Sequence, residues 1–207
     1  MELSDLLLIE RYKLGDIVAF DLLMNKYEKK IYNYCYRMLN NFEEAKDLTQ
    51  EIFVKVFKNI EKFRGESSFY TWLYRIAHNL AIDFIRKRSR ENVVSNDQVI
   101  YEDGPATRDF IDMNLNPEML AADKERKELV IYAINKLLPE YKEVIVLRDI
   151  QGLSVEETAK ILKCAEGTVK SRLHRERFAL KNIWKSMFEE DKKVVGREEM
   201  KDGGEAK

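Results

Sequence analysis

From Phe20 to Met38 the apolar residues Phe20, Leu23, Met24, Tyr27, Ile31, Tyr34, Cys35 and Met38 recur at three- and four-residue intervals. That is the period of a helix with one buried stripe, and Asp16 stands where it can cap the first turn. Asn41 with Glu44 reads as a capping box for a second helix. Its core face is Ala45, Leu48, Ile52, Val56 and Ile60. The opposite face gathers Asp47, Gln50 and Glu51 at i, i+3 and i+4, which is by default a solvated face. A break at Phe63-Arg64-Gly65-Glu66-Ser67-Ser68 precedes a third helix, from about Phe69 to Ser89, with Phe69, Leu73, Ile76, Leu80 and Phe84 inward.

The periodicity lapses over 91–120, which holds Gly104, Pro105 and Pro117 among several Asn and Asp. This stretch reads as an irregular linker between a first domain, 10–90, and a second, 121–188. In the second, Leu129, Ala133, Ile134 and Leu137 form one stripe, and Pro139 fits the first position of the next helix. That helix carries Tyr141, Val144, Ile145 and Leu147 and stops at Gly152. Ser154 to Glu157 is a capping box opening a short helix with Ala159, Ile161 and Leu162. After a turn at Lys163-Cys164-Ala165, a last helix runs from about Gly167 to Phe188, with Val169, Leu173, Leu180 and Trp184 inward. Short helix, tight turn and longer helix are the order of a helix-turn-helix. The remainder, 189–207, has three glycines and no apolar stripe, and reads as a disordered, passive tail.

Composition agrees with an all-α fold of two small helical domains. The 207 residues are 45% apolar and 35% charged, with only 3 Pro and 8 Gly, too few breakers for an all-β chain. No apolar run is long enough to span a bilayer, and Glu2 and Asp5 interrupt any leader, so a cytoplasmic location is expected. Cys35 and Cys164 form no CxxC and read as reduced thiols; His78 and His174 have no partner at ligand spacing, so no metal and no cofactor are expected. Phosphate-loop, GxSxG and HExxH motifs are absent, which argues against an enzyme.

The net charge of −1 conceals a segregation: +4 over 72–90, −6 over 91–120 and +5 over 163–185. Two basic stretches flanking an acidic one point to two nucleic-acid-facing modules. On the last helix Lys170, Ser171, His174 and Arg175 fall outward near the N-terminal half, where a recognition helix meets the major groove. Arg175 or Lys170 suits a guanine edge, and Ser171 and Thr168 suit phosphates; an ordinary basic surface helix is the bland alternative. In the stretch Phe63–Arg90, Phe63, Phe69, Tyr70, Trp72 and Tyr74 alternate with Arg64, Arg75 and Arg86. Aromatics beside cations stack on unpaired bases, although core packing explains such a pattern more often.

The run Asp47-Leu48-Thr49-Gln50-Glu51-Ile52-Phe53, followed by Phe69 through Asn79 (FYTWLYRIAHN), resembles conserved region 2 of bacterial RNA polymerase sigma factors. Leu138-Pro139-Glu140-Tyr141, Leu153 through Ala159 (LSVEETA) and Glu166 through Leu173 (EGTVKSRL) resemble region 4. Order, spacing and length match the extracytoplasmic-function (ECF) subfamily of the sigma-70 family, over roughly residues 10–188. The resemblance implies a transcription initiation factor, not an enzyme, that binds core polymerase and directs it to promoters. It places Asp47, Gln50 and Glu51 against the clamp coiled coil of the largest subunit, and implies a contact with the flap of the second.

By the same resemblance, the loop Phe63, Arg64, Ser67 and Ser68 receives a flipped base of the −10 element. Trp72 and Asn79 lie beside it, and Arg75, Arg86, Lys87 and Arg88 hold the backbone. Arg148, Thr168, Lys170, Ser171, Arg172, His174 and Arg175 meet the −35 element as duplex. An anti-sigma factor is the implied regulatory partner, and no small-molecule substrate is implied. The acidic linker would thread the RNA channel as a nucleic-acid mimic, or serve as a solubilising tether. The competing reading is a stand-alone helix-turn-helix regulator that binds DNA as a dimer; a nucleic-acid enzyme ranks last, for want of clustered carboxylates.

Overall fold

The computed structural model describes residues 3–94 and 129–198, with side chains for 3–91, 129–183 and 185. No strand occurs among them. Helix α1 (Asp5–Lys13) is capped by the Ser4 hydroxyl and buries Leu8 and Ile9 against α2, so the first domain reaches back beyond residue 10. Helix α2 (Ile17–Leu39) starts on Asp16, whose carboxylate accepts from the amides of Val18 and Ala19. It buries the stripe expected of it, from Phe20 to Met38, and stops at Asn40, held at φ 54.

Helix α3 (Phe42–Asn59) runs into a 3₁₀ turn, Ile60–Lys62. Asn41 caps it by accepting from the Glu44 amide, but the capping box is half formed. The Glu44 carboxylate turns instead to Arg88 of α4 (Phe69–Val94), at 2.7 Å, a better electrostatic partner than a backbone amide. The buried face of α4 is Phe69, Leu73, Tyr74, Ala77, His78 and Ala81. Ile76, Leu80 and Phe84, expected inward, lie at its margin. The expected stripe is rotated because Ala77 and Ala81 carry little weight in an apolar count, yet as small residues they let α4 sit close to α2 and α3, with Tyr74 buried beside them. Helix α4 also runs past Ser89 to Val94, so residues 91–94 of the expected linker are helical; 95–120 lie outside the described residues.

The second domain is described from 129. Helix α5 (129–135) and α6 (Pro139–Ile145) are followed without a break by a π turn, Val146–Ile150. Its wider repeat closes on the Gln151 amide, which reaches back to the Val146 carbonyl at 3.0 Å. Gly152 at φ +73 then turns the chain. Helix α7 (Val155–Leu162) has both arms of the capping box, Ser154 Oγ accepting from the Glu157 amide and Glu157 Oε2 from the Ser154 amide. Lys163 in the left-handed region, φ 53, makes the turn into α8 (Glu166–Glu198).

Helix α8 runs on past Phe188, so 189–198 of the expected disordered tail are helical. Their charged residues are strong helix formers, with no proline to stop them. Residues 199–207 and the side chain of Trp184 lie outside the described residues. Val169 is buried as expected, Leu173 and Leu180 half-buried.

The two domains are not beads on a string. One apolar core takes Leu48, Ile52, Leu73 and Ala77 from the first and Ile145, Val146, Leu147, Leu153 and Ile161 from the second. Helix α7 packs on α4, and the π turn on α2. Leu73 and Leu147 are fully buried there, so trimming either to Ala would cost about 2–5 kcal/mol.

Candidate nucleic-acid interface

Helix α3 buries Leu48, Thr49 and Ile52 and thereby turns Asp47, Gln50 and Glu51 together into solvent. The same outer face continues through Val54 and Phe57, 51% and 45% exposed. Phe57 is anchored edge-on to Tyr12 and Phe20, at 6.0 and 5.2 Å between ring centres. An acidic and polar rim beside exposed apolar side chains suits a protein partner better than solvent. The sequence reading missed Val54 and Phe57, although both fall off the core stripe and at helical spacing from Gln50 and Glu51.

The loop between the 3₁₀ turn and α4 is fixed at its start by the Lys13 ammonium, which donates to the Phe63 carbonyl at 2.8 Å. Gly65 at φ +75 turns it. Phe63 itself is buried, edge-on to Phe69 and Trp72 at 5.9 and 5.5 Å, so its ring is a floor under the loop. Arg64 and Ser67 are exposed or half-exposed above it, with Trp72 half-buried at the margin. Ser68 caps α4, its hydroxyl accepting from the Thr71 amide at 3.1 Å.

Along α4, Arg75, Asn79, Arg86 and Lys87 are exposed. Arg88 is committed to Glu44 and is brought to the domain's own packing. His78 points inward to the Tyr34 hydroxyl at 3.3 Å. Burial, aided by the charges of Lys163 and Arg86, pushes its pKa down to about 4, so it is neutral. Burial raises the Cys35 thiol to about 12, which makes it inert; Cys164 is half-buried, and both are free.

The second domain lies against this surface. The hydroxyls of Tyr70 and Tyr74 donate to the backbone and side-chain oxygens of Gln151, each at 2.6 Å. Thr71 Oγ1 donates to Glu157 Oε1 at 2.5 Å, and Ser68 Oγ reaches the same oxygen at 3.5 Å. The Thr71 hydrogen bond, with the Ser154 amide, holds the Glu157 carboxyl below its usual range. The π turn and the capping box thus do double duty, presenting Gln151 and Glu157 to α4. Neither contact was foreseen, because the sequence reading treated the domains apart.

On α8, Lys170, Ser171, His174 and Arg175 share one exposed face, with Thr168 and Arg172 half-buried. The Ser171 hydroxyl folds back on the Thr168 carbonyl at 2.9 Å. Arg148 of the π turn is half-buried, and among the described residues its Nε has no hydrogen-bond partner. Behind this face Glu176 is fully buried, and among the described residues neither of its carboxylate oxygens has a hydrogen-bond partner. Burial first, then the nearby Asp149 charge, raises its pKa to about 7. Among the described residues no cluster of His, Cys, Asp and Glu could hold a metal ion, and no helix is long and apolar enough to cross a membrane.

A helical pair of domains, one bearing a helix-turn-helix and the other an aromatic and cationic face, defines a two-module DNA-binding factor. Residues 23–91 match the family Sigma-70 region 2, and residues 127–180 match Sigma-70, region 4. The ECF RNA polymerase sigma-E factor of Haemophilus influenzae is 40% identical over 185 residues, covering 87% of this chain and 95% of its own. The Escherichia coli K12 factor of the same description is 37% identical, covering 87% and 94%. Among solved structures, the sigma factor RpoE of Bartonella quintana, in complex with the anti-sigma factor NepR, superposes with a TM-score of 0.66 at 25% identity. That likeness covers 80% of this chain and 96% of that one. CnrH, in complex with the cytosolic domain of CnrY, has the same fold at a TM-score of 0.63 and 21% identity, covering 88% and 97%. The chain belongs to the ECF subfamily of sigma-70 factors.

Proposed function

We propose that this chain, as a transcription initiation factor, docks on core RNA polymerase through Asp47, Gln50 and Glu51, with Val54 and Phe57 completing the face. The polymerase supplies the chemistry; the factor supplies promoter choice. The loop from Arg64 to Ser68 and the margin of α4 at Trp72, Arg75 and Asn79 take the opened −10 strand, with Arg86 and Lys87 on its phosphates. Phe63 acts from beneath as the floor of that loop. Flipping a base costs a few kcal/mol of stacking, which a preformed pocket and aromatic margin offset. Lys170, His174 and Arg175 read the −35 duplex, while Thr168, Ser171, Arg172 and Arg148 take its backbone.

The observation that carries this reading is that both modules stand in one chain with their donor-bearing faces exposed and their apolar faces buried. An anti-sigma factor is the expected regulator, given the complex of the Bartonella relative, and the cytoplasm is the expected place of action. Run-off transcription with core polymerase on genomic promoter fragments tests the reading. New start sites sharing spaced −35 and −10 elements are the expected result. Salt-dependent binding of the free protein to a palindrome, with no new transcripts, would instead support a stand-alone dimeric regulator.

A further inference from the structure

Three consecutive residues in the last turn of α1 each hold a different part of the first domain. The Arg11 guanidinium donates twice to Asp16 Oδ2, from Nε at 2.9 Å and from Nη2 at 2.6 Å, which clamps the corner to the residue that caps α2. The Tyr12 ring lies against Phe20 and Phe57, at 5.3 and 6.0 Å between ring centres. Lys13, from this fixed stretch of backbone, extends an exposed side chain to a residue 50 positions further along. Its ammonium donates to the Phe63 carbonyl at 2.8 Å.

That bond gains weight from what the neighbouring loop lacks. The Phe63 amide donates to the Ile60 carbonyl before the loop, and the Trp72 amide to the Ser68 carbonyl after it. Among the described residues, the backbone of 64–67 makes no backbone hydrogen bond, and its one side-chain bond, Ser67 Oγ to the Ser68 carbonyl, is long at 3.3 Å. The position of the loop is therefore decided at its two ends. The far end is fixed by Ser68, which caps α4. At the near end the buried Phe63 ring anchors its own Cα but not the peptide plane that follows. Among the described residues only Lys13 engages the carbonyl of that plane. A peptide unit is rigid, so fixing its carbonyl fixes the direction in which the Arg64 amide and the rest of the loop set out. Gly65, at φ +75, is otherwise free to take other directions.

We propose that Lys13 is a positioning residue for capture of the flipped −10 base: it touches no DNA and presets the loop that does. This rests on the base-capture reading of the loop from Arg64 to Ser68, and adds α1 as its support. Pre-organisation of that kind shows as base-dependent affinity, since only a base seated in the loop gains from it.

The test uses the full-length factor with core polymerase and reads binding of the −10 non-template oligonucleotide of a promoter found by run-off transcription. The probes are the native oligonucleotide and a series with one abasic site at each position in turn. With the unmodified factor, one abasic position is expected to lose most affinity, and that position is the captured base. Lys13→Met keeps the apolar stem and removes the donor, and its melting curve verifies the fold. It is expected to weaken the native probe about fivefold, the worth of one hydrogen bond, and to bind the probe abasic at the captured position as the unmodified factor does. Lys13→Arg, which keeps a donor of similar reach, is expected to restore most of the loss. An equal loss on native and abasic probes overturns the proposal, because a phosphate contact or a general weakening of the domain is indifferent to the missing base. So does a Lys13→Met factor that binds the native probe as tightly as the unmodified one. If no abasic position stands out with the unmodified factor, base capture itself fails and the proposal with it, a result distinct from a base-sensitive loop that ignores Lys13.

Discussion

Thr71 on α4 and Glu157 on α7 meet across the domain seam, hydroxyl to carboxylate, at 2.5 Å. The same carboxylate caps its own helix through the Ser154 amide at 2.8 Å. One side chain therefore couples the internal order of the second domain to its seat on the first.

Replacing Glu157 with Gln is expected to loosen that seat by about 1.5–3 kcal/mol, the range for a hydrogen bond to a charged group. Two dyes, one on each domain, would report it as a longer mean separation, while the helical content holds. The depressed pKa of Glu157 gives a sign for pH. Its contribution is present above the ordinary carboxylate pKa and is lost as pH falls through the lowered folded value. Unmodified factor is expected to open in acid, and E157Q to lack that step; identical acid profiles would remove Glu157 from the seam's energetics.

Glu176 has the opposite sign. Its pKa is raised to about 7, so the folded state holds the proton that the unfolded state releases near 4.5. Stability is expected to fall as pH rises from about 4.5 to 7. E176Q is expected to be more stable than the unmodified chain at pH 8, by about 1–3 kcal/mol, with little difference at pH 4. Thermal melts at the two pH values decide it; a pH-independent difference would show that Glu176 is ionised in the folded chain.

Charge reversal at Asp47 and Glu51 should weaken binding to core polymerase at least tenfold, a loss of about 1.4 kcal/mol or more. Both are exposed, so the melting temperature should not move. Titration of labelled factor with polymerase checks this, and unchanged affinity would clear the face of the role.

Substituting Arg175 with Ala should cost about 1–3 kcal/mol and relax preference at one −35 position. Binding to a panel of single-base variants separates the outcomes, since a uniform loss on every sequence would make Arg175 a phosphate contact.

Much of the fold could be read from the chain. Asp16, the Ser154–Glu157 box, Pro139 and Gly152 fall where local rules place them, because caps and turns are decided by neighbours within four residues. The α2 and α3 stripes were legible for the same reason. What escaped was long-range. Glu44 abandons its local box for Arg88, and α4 buries small Ala77 and Ala81 that an apolar count underweights. Of the candidate site, the exposed donors of α8 and the polar trio of α3 were visible from periodicity. The burial of Phe63 and Glu176 was not. An aromatic in a loop and a glutamate between two arginines carry no sign in the sequence of what folds over them.

The seam has an arithmetic consequence. Gln151 and Glu157 occupy hydroxyls of α4 beside the proposed strand-binding margin, so on that proposal the closed arrangement would compete with promoter DNA inside the molecule. Only an open fraction would then be competent, and apparent affinity would fall by that fraction. Each 1.4 kcal/mol of net seam stability lowers the effective concentration of the factor tenfold without changing how much of it is present. Polymerase, by holding the first domain while the second finds duplex, would then act on this factor as an allosteric ligand as much as an engine.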